Sequence, residues 1–211
     1  MPSETIGNTS IMTYNELTHF FTQAAHYPAE TGRRRNTLLN NIPMREAAVL
    51  LAVVFREQQW QVLLTKRSAA LSNHAGQIAL AGGSRDQEDN SITDTALRET
   101  WEETGIQTQY WETFAPFPAY YTPSGYAVSP IPALCTTSPQ TTPNSDEVEE
   151  IFYLPLTLAL DKSAYAKRKL QYSGTHINTP ALPYLNYDIW GLTAMILYDL
   201  ADRYSQYRQT A

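Results

Sequence analysis

"LAGGSRDQEDNSITDTALRETWEETGI" runs from Leu80 to Ile106, and its reading decides the fold. Ser91 precedes Asp94 at the spacing of a helix cap, and Gly105 offers the left-handed stop at the far end, so a helix is predicted between them. On that helix Glu99, Glu102 and Glu103 stand at i, i+3 and i+4 and project from one face. Like charges at this spacing cost roughly 0.2–0.5 kcal/mol each, and they lie at the negative end of the helix dipole. Local stability does not select them. A solvated acidic face would account for a lone glutamate pair, but not for the glycines Gly82 and Gly83 ahead of the helix, nor for Arg98 beside the acids. A hard divalent cation accounts for more. It takes several oxygen ligands, cancels the repulsion, and suits carboxylates together with a backbone carbonyl exposed at a glycine. Mg²⁺ completes its shell with waters and substrate phosphates, so this donor set points to phosphate chemistry.

Working outward from the helix, "AAVLLAVVF" (47–55) is a near-continuous apolar run and "QVLLTK" (61–66) follows a polar stretch; the two read as paired strands, the first buried on both faces. "QYWETFAPF" and "YAVSPIPAL" read as strand-like pieces separated by the loop "PAYYTPSG". "EVEEIFYLPL" reads as a strand running into a short helix, and "KRKLQYSG" with "PALPYLNY" as a late strand pair. Thr13 and Glu16 have the spacing of a capping box, with Leu17, Phe20, Phe21 and Ala24 on one face of an N-terminal helix. "TGRRRNTLLNNIP" reads as a connector whose basic run, Arg33 to Arg35, is a solvated charge run within reach of an acidic ligand. Leu192, Met195, Ile196 and Leu200 recur at helical spacing, so a C-terminal amphipathic helix is expected to close the core. Helices at both ends and one in the middle, around a mixed sheet, indicate an α/β sandwich. The division expected is 1–45 as N-terminal helix and connector and 46–211 as the main domain.

The chain has 211 residues, 43% of them hydrophobic and 17% charged, ample for one buried core. Its formal net charge of −6 argues against a general nucleic-acid binder, which needs a basic face. A small anionic substrate remains compatible if a metal supplies positive charge locally. No apolar run is long enough to cross a bilayer and no leader pattern opens the chain, so no membrane association and a cytoplasmic location are expected. Cys135 is the single cysteine, which excludes an internal disulfide and a Cys-based zinc site; a buried, inert thiol is expected.

At these residues the chain resembles the Nudix hydrolases. "RETWEETGI" follows their Arg-Glu-apolar-any-Glu-Glu-any-Gly-apolar pattern at Arg98, Glu99, Glu102, Glu103, Gly105 and Ile106, with Thr100 at the apolar position. The loop from Gly83 to Arg98 is one residue longer than the signature, so Asn90 occupies the place of the first Glu and Glu88 stands too far from Arg98. The coenzyme A pyrophosphatase branch shares this longer loop, with "GGxxDxxD" matched by Gly82, Gly83, Asp86 and Asp89. Its upstream motif resembles "LLTKRSAALSNHAGQIALAGG" from Leu63 to Gly83, where Ser72 replaces Arg, Leu80 replaces Phe and Ala81 replaces Pro. The resemblance runs from about Arg45 to the end of the chain.

It implies a Nudix-type α/β/α sandwich with a mixed β-sheet and a carboxylate-bearing helix after a glycine loop. It further implies hydrolysis, with Mg²⁺ or Mn²⁺, of the diphosphate bond of coenzyme A or its derivatives, giving adenosine 3',5'-bisphosphate and (acyl-)phosphopantetheine. Two alternatives stay open: another nucleoside diphosphate compound such as a dinucleotide or nucleotide sugar, and a non-catalytic nucleotide sensor. By this resemblance Glu99 and Glu103 ligate metal with the carbonyl of Gly82. Glu102 serves a second metal or its water, Glu147 is the candidate general base with Glu102 second, and Arg98 orients the glutamates. Lys66, Arg67, His74 and Tyr126 are the candidate substrate contacts, with Tyr121 beside the last. A small-molecule substrate is the expected partner, and a homodimer is compatible with the sequence.

Overall fold

A computed structural model describes residues 12–39, 43–70, 74–172 and 175–210. In chain order the elements are α1 (Tyr14–Ala24), α2 (Glu30–Leu39), β1 (Arg45–Arg56), β2 (Gln59–Arg67), β3 (Ile78–Ala79), β4 (Gly82–Ser84), α3 (Ile92–Thr104), β5 (Glu112–Thr113), β6 (Tyr120–Tyr121), β7 (Tyr126–Cys135), β8 (Val148–Pro155), α4 (Leu156–Ala159), β9 (Ala166–Tyr172), β10 (Thr175–Tyr184), β11 (Tyr187–Ile189) and α5 (Gly191–Thr210).

β1 is the spine. It pairs antiparallel with β2 and β4 and parallel with β7, so the main sheet is mixed, in the order β3-β2-β1-β7-β5, with β8 joined to β2 and β6 to β7. Its run of apolar residues splits by parity, as successive side chains of a strand point to opposite faces. Ala48, Leu50, Ala52 and Val54 meet Ala96 and Ile106 on the α3 face. Leu51 and Val53 meet Phe20 and Phe21 of α1 and Leu197 and Leu200 of α5 on the other. β9, β10 and β11 form a second, three-stranded antiparallel sheet, and its Leu182 and Ile189 join the α5-side core. The result is the expected α/β/α sandwich.

The caps fall where the sequence places them. Thr13 and Glu16 make both halves of a capping box, and Ser91 Oγ accepts from the Asp94 N–H. Gly105 ends α3 in the left-handed region at φ 74°. In α5, Met195, Ile196 and Leu200 are buried, and Cys135 is buried with its thiol 3.3 Å from the Thr137 carbonyl.

Three readings are corrected. The basic connector is helix α2, whose intrinsic propensity is poor and whose stability comes from docking. The free Gly32 N–H donates to Asp199 Oδ2 of α5 at 2.8 Å, and Asn36 grips the 119–121 backbone, accepting from Tyr121 N–H and donating to the Ala119 carbonyl, both at 2.7 Å. Gly32 is required there, since a Cβ would lie 2.6 Å from the Tyr120 ring. "QYWETFAPF" begins within a 3₁₀ turn at Thr108–Tyr110 and contributes only the two-residue β5; in contrast, the loop "PAYYTPSG" contains β6. The late strand pair is present as β9 antiparallel to β10, and "PALPYLNY" ends β10 and turns back into β11, with Tyr184 opposite Tyr187 and Leu185 at φ 52°.

Candidate active site

α3 packs across β1 and β4, and the last turn of the helix faces the glycine strand. Gly82 runs so close to β1 that a Cβ would lie 2.1 Å from the Ala48 carbonyl oxygen, and a Cβ on Gly83 would lie 2.4 Å from a carboxylate oxygen of Glu99. The first glycine lets two backbones approach; the second leaves room for an acid. Glu99 therefore lies directly over the glycine strand.

Glu103, one helical turn further on, is only 3% exposed. Its carboxylate meets the Thr65 hydroxyl at 3.4 Å and the Gly82 N–H at 3.5 Å, contacts too long to replace its lost hydration fully. Burial pushes its pKa up to about 7, eased by the nearby Arg67 charge and the Gly82 N–H and reinforced by Glu147 and Glu99. Glu99 is raised for the same first reason, with Arg98 opposing. Glu147 thus stands close enough to act on buried Glu103 and on partly buried Glu99. Its loop is fastened to the C-terminal end of α3 by Thr142 N–H to the Thr104 carbonyl and Asn144 N–H to the Glu103 carbonyl, and to β2 by Ser68 N–H to the Glu147 carbonyl.

Arg98 is the hub of the arrangement. Its Nε and Nη2 each donate to Asp89 at 3.0 Å, Nη1 reaches Glu99 at 3.0 Å and Glu102 at 3.2 Å, and Nη2 also meets the Ser84 carbonyl. Asp89 is buried and further accepts from Thr95 Oγ1 and the Asp86 N–H. The Arg98 fork, followed by the Asp86 and Thr95 donors, holds Asp89 far below the usual carboxylate range. The sequence reading included Asp89 in a motif match but assigned it no role; its contact with Arg98 depends on a loop whose path sequence spacing does not reveal. Thr65 was likewise missed, and strand parity with Arg67 was its available signal.

The candidate substrate contacts divide. Thr65 and Arg67 lie on the α3 face of β2, toward Glu103. Lys66, one residue out of phase, turns away and pairs with Glu149 at 2.6 Å. His74 sits exposed on the β2–β3 loop, 2.9 Å from Gln77, and Tyr126 carries the Arg45 guanidinium over its ring at 4.3 Å. Among the described residues no three His, Cys, Asp or Glu side chains converge as a ready-made cation cage. Arg98 instead neutralises Glu99 and half-exposed Glu102. The donor chemistry still suits a hard cation: buried Glu103 lacks a strong partner, Glu99 lies over Gly83, which has no Cβ to fill the space, and the charge of Glu147 acts on both.

The NUDIX domain family matches residues 44–172, which include β1, β2, the glycine strand and α3. Relatives described as the uncharacterized Nudix hydrolase NudL are 37% identical over 161 residues in Pectobacterium atrosepticum, covering 74% of this chain and 81% of that one. The corresponding figures in Yersinia pestis are 35% over 191 residues, covering 90% and 87%. A Caenorhabditis elegans Ap4A hydrolase shares the fold at TM-score 0.52 and 16% identity, covering 80% of this chain and 100% of that one. A MutT protein from Methanosarcina mazei does so at 0.51 and 19%, covering 79% and 98%. The chain belongs to the Nudix hydrolase family. No helix among the described residues is long and apolar enough to cross a membrane.

Proposed function

We propose that the chain hydrolyses the diphosphate bond of a nucleoside diphosphate compound, with coenzyme A or an acyl derivative as the substrate, and with Mg²⁺ or Mn²⁺ bound at the α3 acids. The observation carrying this reading is the juxtaposition of buried Glu103, Glu99 over Gly83 and nearby Glu147 at one end of the sheet. Glu99 and Glu103, with the Gly82 carbonyl, would hold the cation, and Glu102 would hold a second ion or its water. When bound, the cation supplies charge for the phosphoryl oxygens and lowers the pKa of water.

The chain's own residues supply the rest. Arg67 on the Glu103 side of β2 meets substrate phosphate, and Glu147, with Glu102 second, takes the proton from water as its oxygen bonds to phosphorus and the bridging P–O bond breaks. Arg98, braced by Asp89, positions Glu99 and Glu102. Lys66, His74 and Tyr126 serve the substrate only if they leave the partners they have in this structure.

Two of the three departures from the coenzyme A motif carry little weight against that substrate. Leu80 and Ala81 are buried core residues, so they alter packing and not the surface a substrate meets. Ser72 lies outside the described residues. Incubation with Mg²⁺ or Mn²⁺ and a panel of coenzyme A, NADH, ADP-ribose and diadenosine compounds tests the proposal. Release of adenosine 3',5'-bisphosphate from coenzyme A is expected; turnover of another member of the panel with none on coenzyme A overturns the substrate. No turnover of any of them, with nucleotide binding retained, overturns the hydrolase reading in favour of a sensor.

A further inference from the structure

The arginine run of α2 is not used by the α3 site. α2 packs against β6 and α5, with Asn36 and the Arg35 Nε bonded to the 119–121 backbone and Gly32 against the Tyr120 ring, while Arg34 borders a groove on the other flank. That groove has a volume of about 630 Å³ and runs between α2, the 3₁₀ turn at Lys162–Ala164, β9, β10 and α5. Arg34 and Arg35 line it from α2, Lys162 from the 3₁₀ turn and Lys167 from β9, while Tyr165 and Tyr198 help to form its floor.

No aspartate or glutamate lines this groove, although the chain carries 21 acidic residues against 15 Lys and Arg. Arg34 of α2 and, from a distant stretch of the chain, Lys162 and Lys167 gather three cations around one concavity, where they repel one another as the acids of α3 do. Their partners offset this only in part. Arg34 stands 3.8 Å from Glu30 with its side chain 81% exposed, and Lys162 pairs with Asp202 at 2.5 Å; Arg35 is engaged elsewhere, its Nε donating to the Tyr121 carbonyl. Lys167 has no ion pair among the described residues. Asn178 and Thr31 add uncharged polar groups to the lining. The volume falls within the roughly 300–1,000 Å³ of small-molecule sites, and converging Arg and Lys side chains are the usual means of holding phosphate.

We infer that this groove is a second anion site that binds a small phosphate-bearing molecule through Arg34, Lys162 and Lys167 and, lacking any carboxylate to recruit a cation, holds it without cleaving it. The inference is independent of which substrate the α3 site hydrolyses.

Calorimetric titration of the whole chain with adenosine 5'-monophosphate, and separately with inorganic pyrophosphate, tests it in the presence of EDTA. Without divalent cations the α3 acids repel phosphate, and a Glu103→Gln variant reports any residual binding there. Saturable binding is expected that weakens about tenfold or more in Arg34→Ala/Lys167→Ala and is unchanged in Glu103→Gln. Lys167→Arg should restore what Lys167→Ala loses, and raising KCl from about 0.05 to about 0.5 M should weaken binding. Tighter binding of the nucleotide than of pyrophosphate assigns the rings a share; equal binding assigns the phosphate alone, and either supports the site. No saturable binding, binding indifferent to the double variant, or binding that changes only in Glu103→Gln overturns it. A single-stranded RNA that binds through these residues far more tightly than the mononucleotide overturns the small-molecule assignment.

Discussion

Asp89→Asn probes the hub of the α3 site with one atom changed. Asp89 is 5% exposed at its side chain, receives both prongs of the Arg98 fork at 3.0 Å and also accepts from Thr95 and Asp86. In the variant the remaining oxygen is able to serve Thr95 and the Asp86 N–H, which turns the amide NH₂ toward the guanidinium, donor against donor. Removing one partner of a buried pair costs about 3–5 kcal/mol. Arg98 retains 25% exposure as well as Glu99, Glu102 and the Ser84 carbonyl, so a loss of about 2–3 kcal/mol at pH 7 is expected.

The loss must also depend on pH. The folded pKa of Asp89 lies well below its unfolded value of about 3.9. Its stabilisation is therefore fully present above about pH 4 and declines as pH falls from there toward the folded pKa. Urea unfolding of both proteins, compared at constant m-value, should show a difference that is flat from about pH 8 to 5 and shrinks in acid. A variant as stable as the parent within about 0.5 kcal/mol at pH 7 refutes the brace, as does a difference that does not shrink below pH 4.

Glu103→Gln should lower turnover beyond the roughly 10–100-fold typical of outer-shell partners; because the amide needs no burial of charge, thermal stability should hold or rise, and unchanged hydrolysis would sink the metal assignment. Gly83→Ala and Gly82→Ala should separate function from folding. The first meets only the movable end of Glu99, so activity should drop with the melting temperature little changed; the second meets the backbone of β1 and should cost about 3 kcal/mol or more. The β1–β2 turn places Glu57 and Gln58 at φ 50° and 62°, a conformation that favours Asn-Gly. Glu57→Asn/Gln58→Gly should therefore gain about 1 kcal/mol in calorimetry, its exposed Arg56–Glu57 pair being worth little.

The sequence alone determined the features set by neighbours along the chain. Thr13 and Ser91 as caps, Gly105 as a stop, and three glutamates on one face of α3 follow from helix geometry, and the paired runs 47–55 and 61–66 follow from strand composition. Those local rules also sufficed for the sandwich and for the gathering of Glu99, Glu102 and Glu103 on α3. Only the tertiary structure decided the groups whose partners lie far along the chain or across a loop. α2 is helical because Asp199, Tyr120 and the 119–121 backbone receive it, and its own residues give no comparable signal. Lys66 and Arg67 face opposite ways, but β2 is buried on both sides, so no polar–apolar alternation exposes the parity. Asp89 reaches Arg98 through a loop with no periodicity to read. The low dielectric that raises Glu103 arises only when β1, β2 and α3 exclude water together.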